Sequence, residues 1–358
     1  MDDRHTFHED HGARFGSIAG REVVTRYRRP ERTHRAVRNG VGVTDHPVGV
    51  IVVEGADRLE YVDNVLTNNV PTEDGRGAYA LLLDPQGRIT TDMYVFNAGE
   101  RLLLFTPPGR ATPTADGWET FIQDVTISVA SDEFAVFSVH GPTATEKVAS
   151  VLSGVTTPQD PLSFVRGSIA ETGVSVVRDD NLVGEEGYFV ICGSDGAVAV
   201  LDDIVNHGPA AVPFGRETWE ALTLEAGTPI FPEELEGRIP NAVGLRGAMD
   251  FEKGCYVGQE VVSRIENRGR PADRLVGLQV DALPEAGAAV MAGDDAIGEV
   301  TRGVESPVLE AAIAFAFVDY EFDGAVTVRI HGEDVPAELT PLPFVETECQ
   351  SRRRPRYE

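Results

Sequence analysis

The residues with the clearest chemical potential lie in one short stretch, Lys-Gly-Cys-Tyr-Val-Gly-Gln-Glu at 253–260. Cys255 follows Lys253 by two residues, and valine and isoleucine then recur at helical spacing until Gly269, a typical helix stop. The unpaired N–H groups and the dipole at a helix N-terminus favour an anion. With the charge of Lys253, they predict a thiol that ionises readily and a nucleophilic Cys255.

Each residue of this octet also has a plainer explanation, and these alternatives stay open. A free cysteine such as Cys255 is commonly a small buried hydrophobe, and Lys253 can be a solvated charge. Gly254 and Gly258 suit tight backbone geometry. Gln259 and Glu260 fit either the first turn of a helix or a binding site.

The composition describes an acidic globular chain. Its 358 residues are 42% hydrophobic, enough for two or three domains, and its formal net charge is −27. Lysine occurs only at Lys147 and Lys253. Such a surface suggests a protein that stays soluble in concentrated salt, and we hypothesise a halophilic cytoplasm. The same charge predicts no nucleic-acid partner and no membrane partner.

Cysteine and histidine usage predicts no metal site and a reducing compartment. Cys192, Cys255 and Cys349 are odd in number and far apart, so they predict neither a disulfide framework nor a zinc site. His5, His8 and His11 have ligand-like spacing but fall in an expected flexible arm. No secretory signal or apolar run of membrane length is visible, and we expect a cytoplasmic protein.

Alternating hairpin and helix patterns predict an α+β fold rather than a doubly wound parallel sheet. Residues 1–35 are polar and are expected to wrap the surface. Strands are expected at 48–53, 77–83, 88–96, 102–106, 125–129, 134–139, 174–177 and 188–192. Helices are expected at 56–68, near Trp118, and at 143–152, 198–206 and 216–226. The turn Asp84-Pro85-Gln86-Gly87 predicts a hairpin.

The pattern changes near residue 270, which we take as the main domain boundary. Residues 1–270 are predicted to form a core of two interleaved α+β subdomains, the second at roughly 50–130. Residues 271–346 are predicted to form an all-β barrel, because short strands alternate with Gly, Pro and Asp. Residues 347–358 form a polar tail, in which Arg352–Arg356 is expected to be solvated or to serve as an intramolecular counter-charge.

The octet, followed by Arg264, resembles the hallmark of YgfZ-type proteins, which are folate-binding relatives of the glycine cleavage T-protein, an aminomethyltransferase. The likeness runs from about residue 35 to 345. Further landmarks occur in the right order: Leu66-Thr67-Asn68, Gly77-Ala78-Tyr79, Gly87 to Asp92, His140-Gly141-Pro142, Gly184 to Tyr188, Leu224 to Gly227, Gly298 to Gly303 and Leu342-Pro343-Phe344.

The resemblance implies a ring of three domains with tetrahydrofolate in the central hole. It carries over Tyr79 as a folate contact and Asp92 as the catalytic aspartate, a group suited to orienting an amine nucleophile and stabilising a cationic species. Either residue could instead be structural, Tyr79 as a core aromatic and Asp92 as the polar end of a strand. The implied sites are catalytic Cys255, Asp92 and Lys253, and cofactor-binding Tyr79, Asp92, Asn68, Glu186, Glu225 and Gln259.

Three positions depart from the T-protein pattern. The pterin-recognising glutamate is replaced by Phe189, the arginine two residues before Glu225 by Thr223, and the glutamate of the Pro-x-Glu segment by Ala242. Each change removes a polar group from the expected folate site.

Three functions therefore compete. The first is a YgfZ-type folate-binding protein that supports iron–sulfur client proteins through Cys255. The second is a folate-dependent aminomethyltransferase that uses Asp92 and a lipoylated carrier protein as partner. The third is a binding module that kept the fold and lost the chemistry. The octet favours the first function, and Asp92 with Tyr79 favours the second.

Overall fold

Two large open sheets, a small two-stranded sheet and a closed barrel organise the part of the chain that the computed structural model describes, residues 3–118, 124–347 and 349–357. Helices cover the outer faces of the sheets and connect them to the barrel. The predicted α+β class with a C-terminal all-β barrel is confirmed.

The N-terminal segment is folded, so the expectation of a flexible arm was wrong. It forms α1 (Asp3–Asp10), β1 (Arg14–Ile18), β2 (Arg21–Arg26), α2 (Pro30–Asn39) and β3 (Gly42–Asp45). His8 is buried, with its Nδ1 2.8 Å from the Tyr27 hydroxyl and its Nε2 2.9 Å from Asp45 Oδ2. Because a buried ring must satisfy its nitrogens, these bonds fix α1 against the core.

A five-stranded antiparallel sheet follows, in the order β5-β6-β7-β4-β8. Its elements are β4 (Gly49–Glu54), α3 (Arg58–Val65), β5 (Arg76–Leu83), β6 (Ile89–Asn97), β7 (Arg101–Thr106), α4 (Ala111–Gly117) and β8 (Thr126–Val129). The helix expected near Trp118 is α4, and residues 119–123 lie outside the described part of the chain.

The β5–β6 hairpin is closed by the predicted turn. Asp84 Oδ1 accepts hydrogen bonds from the backbone N–H groups of Gln86 and Arg88, at 2.8 and 2.9 Å. Gly87 has a φ of +74°, which a side chain would strain. Side-chain alternation along β6 then places Asp92, Tyr94 and Phe96 on one face, beside Tyr79 of β5.

A six-stranded sheet in the order β10-β11-β12-β9-β3-β13 stands beside the first. Its later elements are β9 (Phe134–His140), α5 (Ala144–Val151), β10 (Phe164–Ile169), β11 (Thr172–Arg178), β12 (Gly187–Gly193), α6 (Ala197–Asn206) and β13 (Val212–Pro213). One face packs on α5 and α6. The other face shares a core with the first sheet.

The chain then crosses to the barrel through α7 (Arg216–Glu225), α8 (Pro240–Val243) and α9 (Gln259–Arg268). The barrel closes in the order β14-β17-β16-β15-β18-β19. Its strands are β14 (Asp273–Val280), β15 (Ala289–Ala292), β16 (Asp295–Ser306), β17 (Ala311–Asp319), β18 (Val326–Ile330) and β19 (Glu333–Thr340).

Strand β17 joins the barrel to the rest of the molecule. Ile313, Phe315 and Phe317 belong to the core shared with the two sheets, whereas Ala314 and Ala316 face the barrel interior. A strand buried on both faces reads as a continuous apolar run, as the sequence does here.

The C-terminal residues return across the core. The backbone N–H of Val345 donates to the Glu225 carbonyl at 3.1 Å, and that of Arg356 donates to the Gly244 carbonyl at 2.9 Å. Arg353 is only 8% exposed. The expectation that the arginines of residues 352–356 are solvated was wrong for Arg353. The alternative expectation, an intramolecular counter-charge, describes this residue.

Candidate functional site

A buried carboxylate lies where the two sheets meet. Asp92 on β6 is 2% exposed, and its Oδ2 accepts a hydrogen bond of 2.9 Å from the Tyr79 hydroxyl on β5. Its Oδ1 has no hydrogen-bond partner among the described residues. Buried carboxylate oxygens are normally satisfied, so an orphaned one marks a place where a ligand or water can donate.

The C-terminal segment supplies the counter-charge. Arg353 Nη1 lies 3.0 Å from Asp92 Oδ2. The guanidinium carbon lies 4.1 Å from the ring centre of Tyr79 and 4.8 Å from that of Tyr94, a cation–π arrangement. Burial alone would lower the pKa of Arg353, but the surrounding phenols and carboxylates raise it above its ordinary value, so the group stays charged.

A second carboxylate completes the cluster. Asp180 Oδ1 accepts a hydrogen bond of 2.7 Å from the Tyr94 hydroxyl, and its Oδ2 accepts one of 3.2 Å from Ser351. Burial raises the pKa of both Tyr79 and Tyr94 well above the usual range. Both phenols therefore remain protonated donors, and Arg353 stands between two acidic residues.

A cavity of about 120 Å³ opens beside this cluster. Six of its lining residues carry aromatic rings: Tyr94, Phe105, Phe189, Trp219, Phe231 and His46. The His46 ring packs 5.1 Å from Phe189 and 5.3 Å from Trp219. Burial, aided by the charges of Arg353 and Arg216, lowers the pKa of His46 to about 3, so this ring is neutral near pH 7. The walls suit a flat heteroaromatic ligand.

Of the predicted site residues, the structure brings Asp92 and Tyr79 together and sets Asn68 directly behind them. The Asn68 side-chain amide donates to the Tyr79 carbonyl at 2.9 Å. This bond holds the β5 backbone that carries the phenol. Asn68 therefore supports the site from behind and is not among the described residues that line the cavity.

Glu225 lies in a separate ion-pair cluster. It is fully buried and accepts from His34 Nε2 at 3.0 Å, Arg38 Nη2 at 2.7 Å and Ser306 at 2.6 Å. Burial raises the pKa of Glu225, but these donors outweigh it and bring the pKa below the usual value. The carboxylate ties α2, α7 and β16 together, so its contacts are structural.

Glu186 and Gln259 also lie away from the cavity. Glu186 accepts a hydrogen bond from the Thr145 hydroxyl. The Gln259 side chain points back to the carbonyls of Lys253 and Gly254, at 3.5 and 3.3 Å. Neither residue contributes to the described lining of the cavity.

The Lys253 ammonium bonds to backbone oxygens near the end of α3. It donates to the carbonyls of Asp63, Leu66 and Asn68, at 2.7, 3.1 and 2.9 Å, and lies 3.2 Å from Asp63 Oδ1. Burial lowers the pKa of Lys253, and Asp63 opposes the shift. Lys253 therefore caps the C-terminal end of α3, where carbonyls lack helical partners.

Cys255 is exposed in the loop before α9. It precedes the first helical residue, Gln259, by four positions, and it is not among the described residues that line the cavity. Gly258 has a φ of +81°, and a Cβ there would lie 2.6 Å from the Asp84 carbonyl oxygen. This glycine lets the octet pack on the turn that positions β6.

The three departures from the T-protein pattern have different surroundings. Phe189 adds an aromatic ring to the cavity wall. Thr223 is buried and accepts a hydrogen bond of 2.9 Å from Arg302, whose guanidinium also pairs with Glu234 at 3.3 Å. Arg302 of the barrel therefore lies next to Thr223, the position at which the T-protein pattern has an arginine. Ala242 lies beneath the C-terminal segment, and its carbonyl accepts from the Tyr357 hydroxyl.

Sequence reasoning missed Tyr94, Asp180, Arg353, His46 and Trp219 as site residues. The two-residue period of β6 could have found Tyr94, which follows Asp92 on the same face. Arg353 carries no such signal, because its partners lie far away in sequence.

In the described ranges, no group of three or more His, Cys, Asp or Glu side chains is arranged to hold a metal ion. No helix of the described chain is both long and apolar enough to cross a membrane.

Comparisons with known proteins agree with this architecture of a mixed α/β core and a terminal barrel. Residues 4–253 match the GCVT N-terminal domain family, and residues 274–346 match the glycine cleavage T-protein C-terminal barrel domain. The chain therefore belongs to the glycine cleavage T-protein family. Cys255 and α9 fall between the two matched regions, and Arg353 falls beyond them.

Individual relatives align along nearly their whole length. The aminomethyltransferase of Streptomyces coelicolor is 30% identical over 359 residues, covering 94% of this chain and 95% of that protein. The aminomethyltransferase of Bacillus subtilis is 26% identical over 350 residues, with 94% and 96% covered. The crystal structure of glycine cleavage system aminomethyltransferase T from Bartonella henselae superposes with a TM-score of 0.87 at 22% identity, covering 97% of this chain and 98% of that one. This likeness confirms the T-protein-like fold.

Proposed function

We propose that this protein is a tetrahydrofolate-dependent one-carbon transferase of the aminomethyltransferase type. The single observation that carries the proposal is the orphaned Oδ1 of Asp92 beside an aromatic cavity. Relatives named aminomethyltransferase, aligned over more than nine-tenths of the chain, support the reaction class. Lipoylated carrier proteins are the partners that this function implies.

The residues present fit a reduced folate. The aromatic walls offer stacking surfaces for a pterin, and Asp92 Oδ1 offers an acceptor for an N–H group of the ligand. The enclosed volume of about 120 Å³ is below the roughly 300–1,000 Å³ of typical ligand sites, so we expect the flat ring system, and not the whole ligand, to enter it. The rest of the ligand must reach outwards.

When bound, tetrahydrofolate supplies the amine that accepts the one-carbon unit. Asp92 can orient that amine through Oδ1 and hold the proton that it releases. Because Asp92 is 2% exposed, its charge acts on a developing cation with little screening by water. Tyr79 and Arg353 restrain Oδ2, and the aromatic walls exclude water from the reacting atoms.

Turnover with an aminomethyl-lipoyl donor and tetrahydrofolate tests this function. Loss of a positioned acid–base group costs about 10²–10⁴ in rate, so Asp92→Asn should lower kcat by that factor. Asp116→Asn, an exposed aspartate on α4, is the matched control and should keep full activity. An Asp92→Asn enzyme with undiminished turnover would remove the proposed role.

A second function is proposed on a separate observation, the exposure of Cys255. A YgfZ-type protein that supports iron–sulfur clients needs an accessible thiol, and an exposed loop provides one. Deletion of the gene, complemented with Cys255→Ser or Asp92→Asn, separates the two functions. The transferase proposal expects glycine breakdown to fail only with Asp92→Asn. The iron–sulfur proposal expects iron–sulfur enzymes to fail with Cys255→Ser.

A further inference from the structure

The C-terminal segment contributes a charged group to the site from outside the two family-matched regions. The barrel match ends at residue 346, and Arg353 lies seven residues further on. Its guanidinium nevertheless contacts Asp92 and the rings of Tyr79 and Tyr94 in the interior. This contribution needs the terminal residues to be held in a fixed path.

The path is fixed on both sides of Arg353. Ser351 bonds to Asp180 and also accepts from the Arg353 backbone N–H at 3.0 Å. Beyond it, the Tyr357 hydroxyl lies 3.0 Å from the Ala242 carbonyl and accepts a 2.9 Å bond from the Leu275 N–H. A Cβ at Gly247 would lie 2.5 Å from the Arg352 carbonyl oxygen, so the backbones touch. The segment is an integral wall of the site.

The two carboxylate oxygens of Asp92 differ in their hydrogen-bond partners, and Arg353 is one cause of the difference. Both described donors, the Tyr79 hydroxyl and Arg353 Nη1, go to Oδ2, whereas Oδ1 has no described partner. Arg353 Nε meanwhile lies 3.2 Å from the Tyr94 hydroxyl, which bonds to Asp180. These bonds fix the carboxylate plane and leave one oxygen free beside the cavity.

We propose that Arg353 is a positioning residue for the transfer reaction: it holds Asp92 through Oδ2 so that Oδ1 meets the ligand amine. The inference rests on the proposed function, because it assigns Arg353 a part in the same site. Removing the guanidinium would let the carboxylate rotate and would leave it buried without a cation.

The test compares Arg353→Ala, Arg353→Lys and the control Arg352→Ala, which alters the exposed neighbouring arginine. Because charge-assisted hydrogen bonds are strong, Arg353→Ala should lower kcat by about tenfold to a hundredfold, and Arg353→Lys by less. Guanidinium ion at concentrations far below denaturing ones should restore part of the Arg353→Ala rate, whereas sodium chloride should not.

Three results would overturn the inference. The first is unchanged kinetics in Arg353→Ala. The second is a loss that neither guanidinium ion nor Arg353→Lys reduces, which indicates only a structural contribution. The third is tighter tetrahydrofolate binding or faster turnover, which means that the segment obstructs the site. If the unaltered protein neither binds nor uses tetrahydrofolate, the proposed function fails, and the inference falls with it for that separate and recognisable reason.

Discussion

Asp179→Asn should make the protein more stable, and the gain should grow with pH. Asp179 Oδ2 lies 3.4 Å from His140 Nδ1, and both side chains are fully buried. Neither Asp179 Oδ2 nor either His140 ring nitrogen has a described hydrogen-bond partner. Burial, followed by the charge of Asp180, raises the pKa of Asp179 to about 7, and burial lowers the pKa of His140 to about 3.

The sign follows from the raised pKa. In the folded protein the carboxyl favours its protonated form, so its contribution to stability is complete below the ordinary pKa of 3.8 and is lost as pH rises through about 7. A rise from 3.8 to about 7 corresponds to about 4 kcal/mol. Asparagine keeps the shape and cannot ionise, so the variant should avoid this loss. His140 titrates in both proteins and does not create the difference.

Urea unfolding of both proteins at pH 4, 6 and 8, in one salt concentration, measures the effect. The free energy of unfolding of Asp179→Asn relative to the unaltered chain should increase by up to about 4 kcal/mol between pH 4 and pH 8. Asp323→Asn, an exposed loop aspartate, should show a flat difference. A flat difference for Asp179→Asn, or a variant that becomes relatively less stable as pH rises, would show that ionisation of Asp179 does not destabilise the folded protein.

Three further predictions concern the octet and the charge of the chain. Lys253→Met should lower the free energy of unfolding by about 2–3 kcal/mol, because three carbonyls near the end of α3 lose their donor. Arg264→Met on the exposed face of α9 is the control, and a Lys253→Met protein as stable in urea as the unaltered chain would contradict the capping role. Cys255→Ser should remove rapid thiol labelling, because Cys255 is exposed. The rate of aminomethyl transfer should stay within about twofold, because Cys255 is absent from the described cavity lining, and a large loss of this rate would place the thiol in the reaction. Potassium chloride should raise the midpoint of urea unfolding, because screening relieves the self-repulsion of a chain with net charge −27. Full stability without salt would count against the halophilic adaptation that we propose.

Local sequence patterns predicted the elements whose stability is local. The Asp84–Gly87 turn, the strand expected at 88–96 and the helix expected at 216–226 each depend on neighbours within a few residues, and each is found. The barrel was predictable because short strands and turn residues alternate. The N-terminal segment was mispredicted because its polar surface hides buried contacts such as His8 with Asp45.

The site was predictable only in part, for a related reason. Asp92 and Tyr79 lie on paired strands, each in a segment that resembles the T-protein pattern, so both were predictable from the sequence. Arg353 meets Asp92 across 261 positions of sequence, and no pattern in the chain indicates such a pairing. Lys253 shows the converse, because it lies two positions from Cys255 in sequence but its ammonium bonds to backbone carbonyls near the end of α3 in the folded chain.

A crystal structure of the protein with tetrahydrofolate tests directly whether Asp92 Oδ1 receives the ligand amine. We predict the pterin among the aromatic walls, a ligand nitrogen within hydrogen-bonding distance of Asp92 Oδ1, and intact contacts from Tyr79 and Arg353 to Oδ2. Tetrahydrofolate bound elsewhere, or bound with Arg353 expelled from the site, would contradict this prediction.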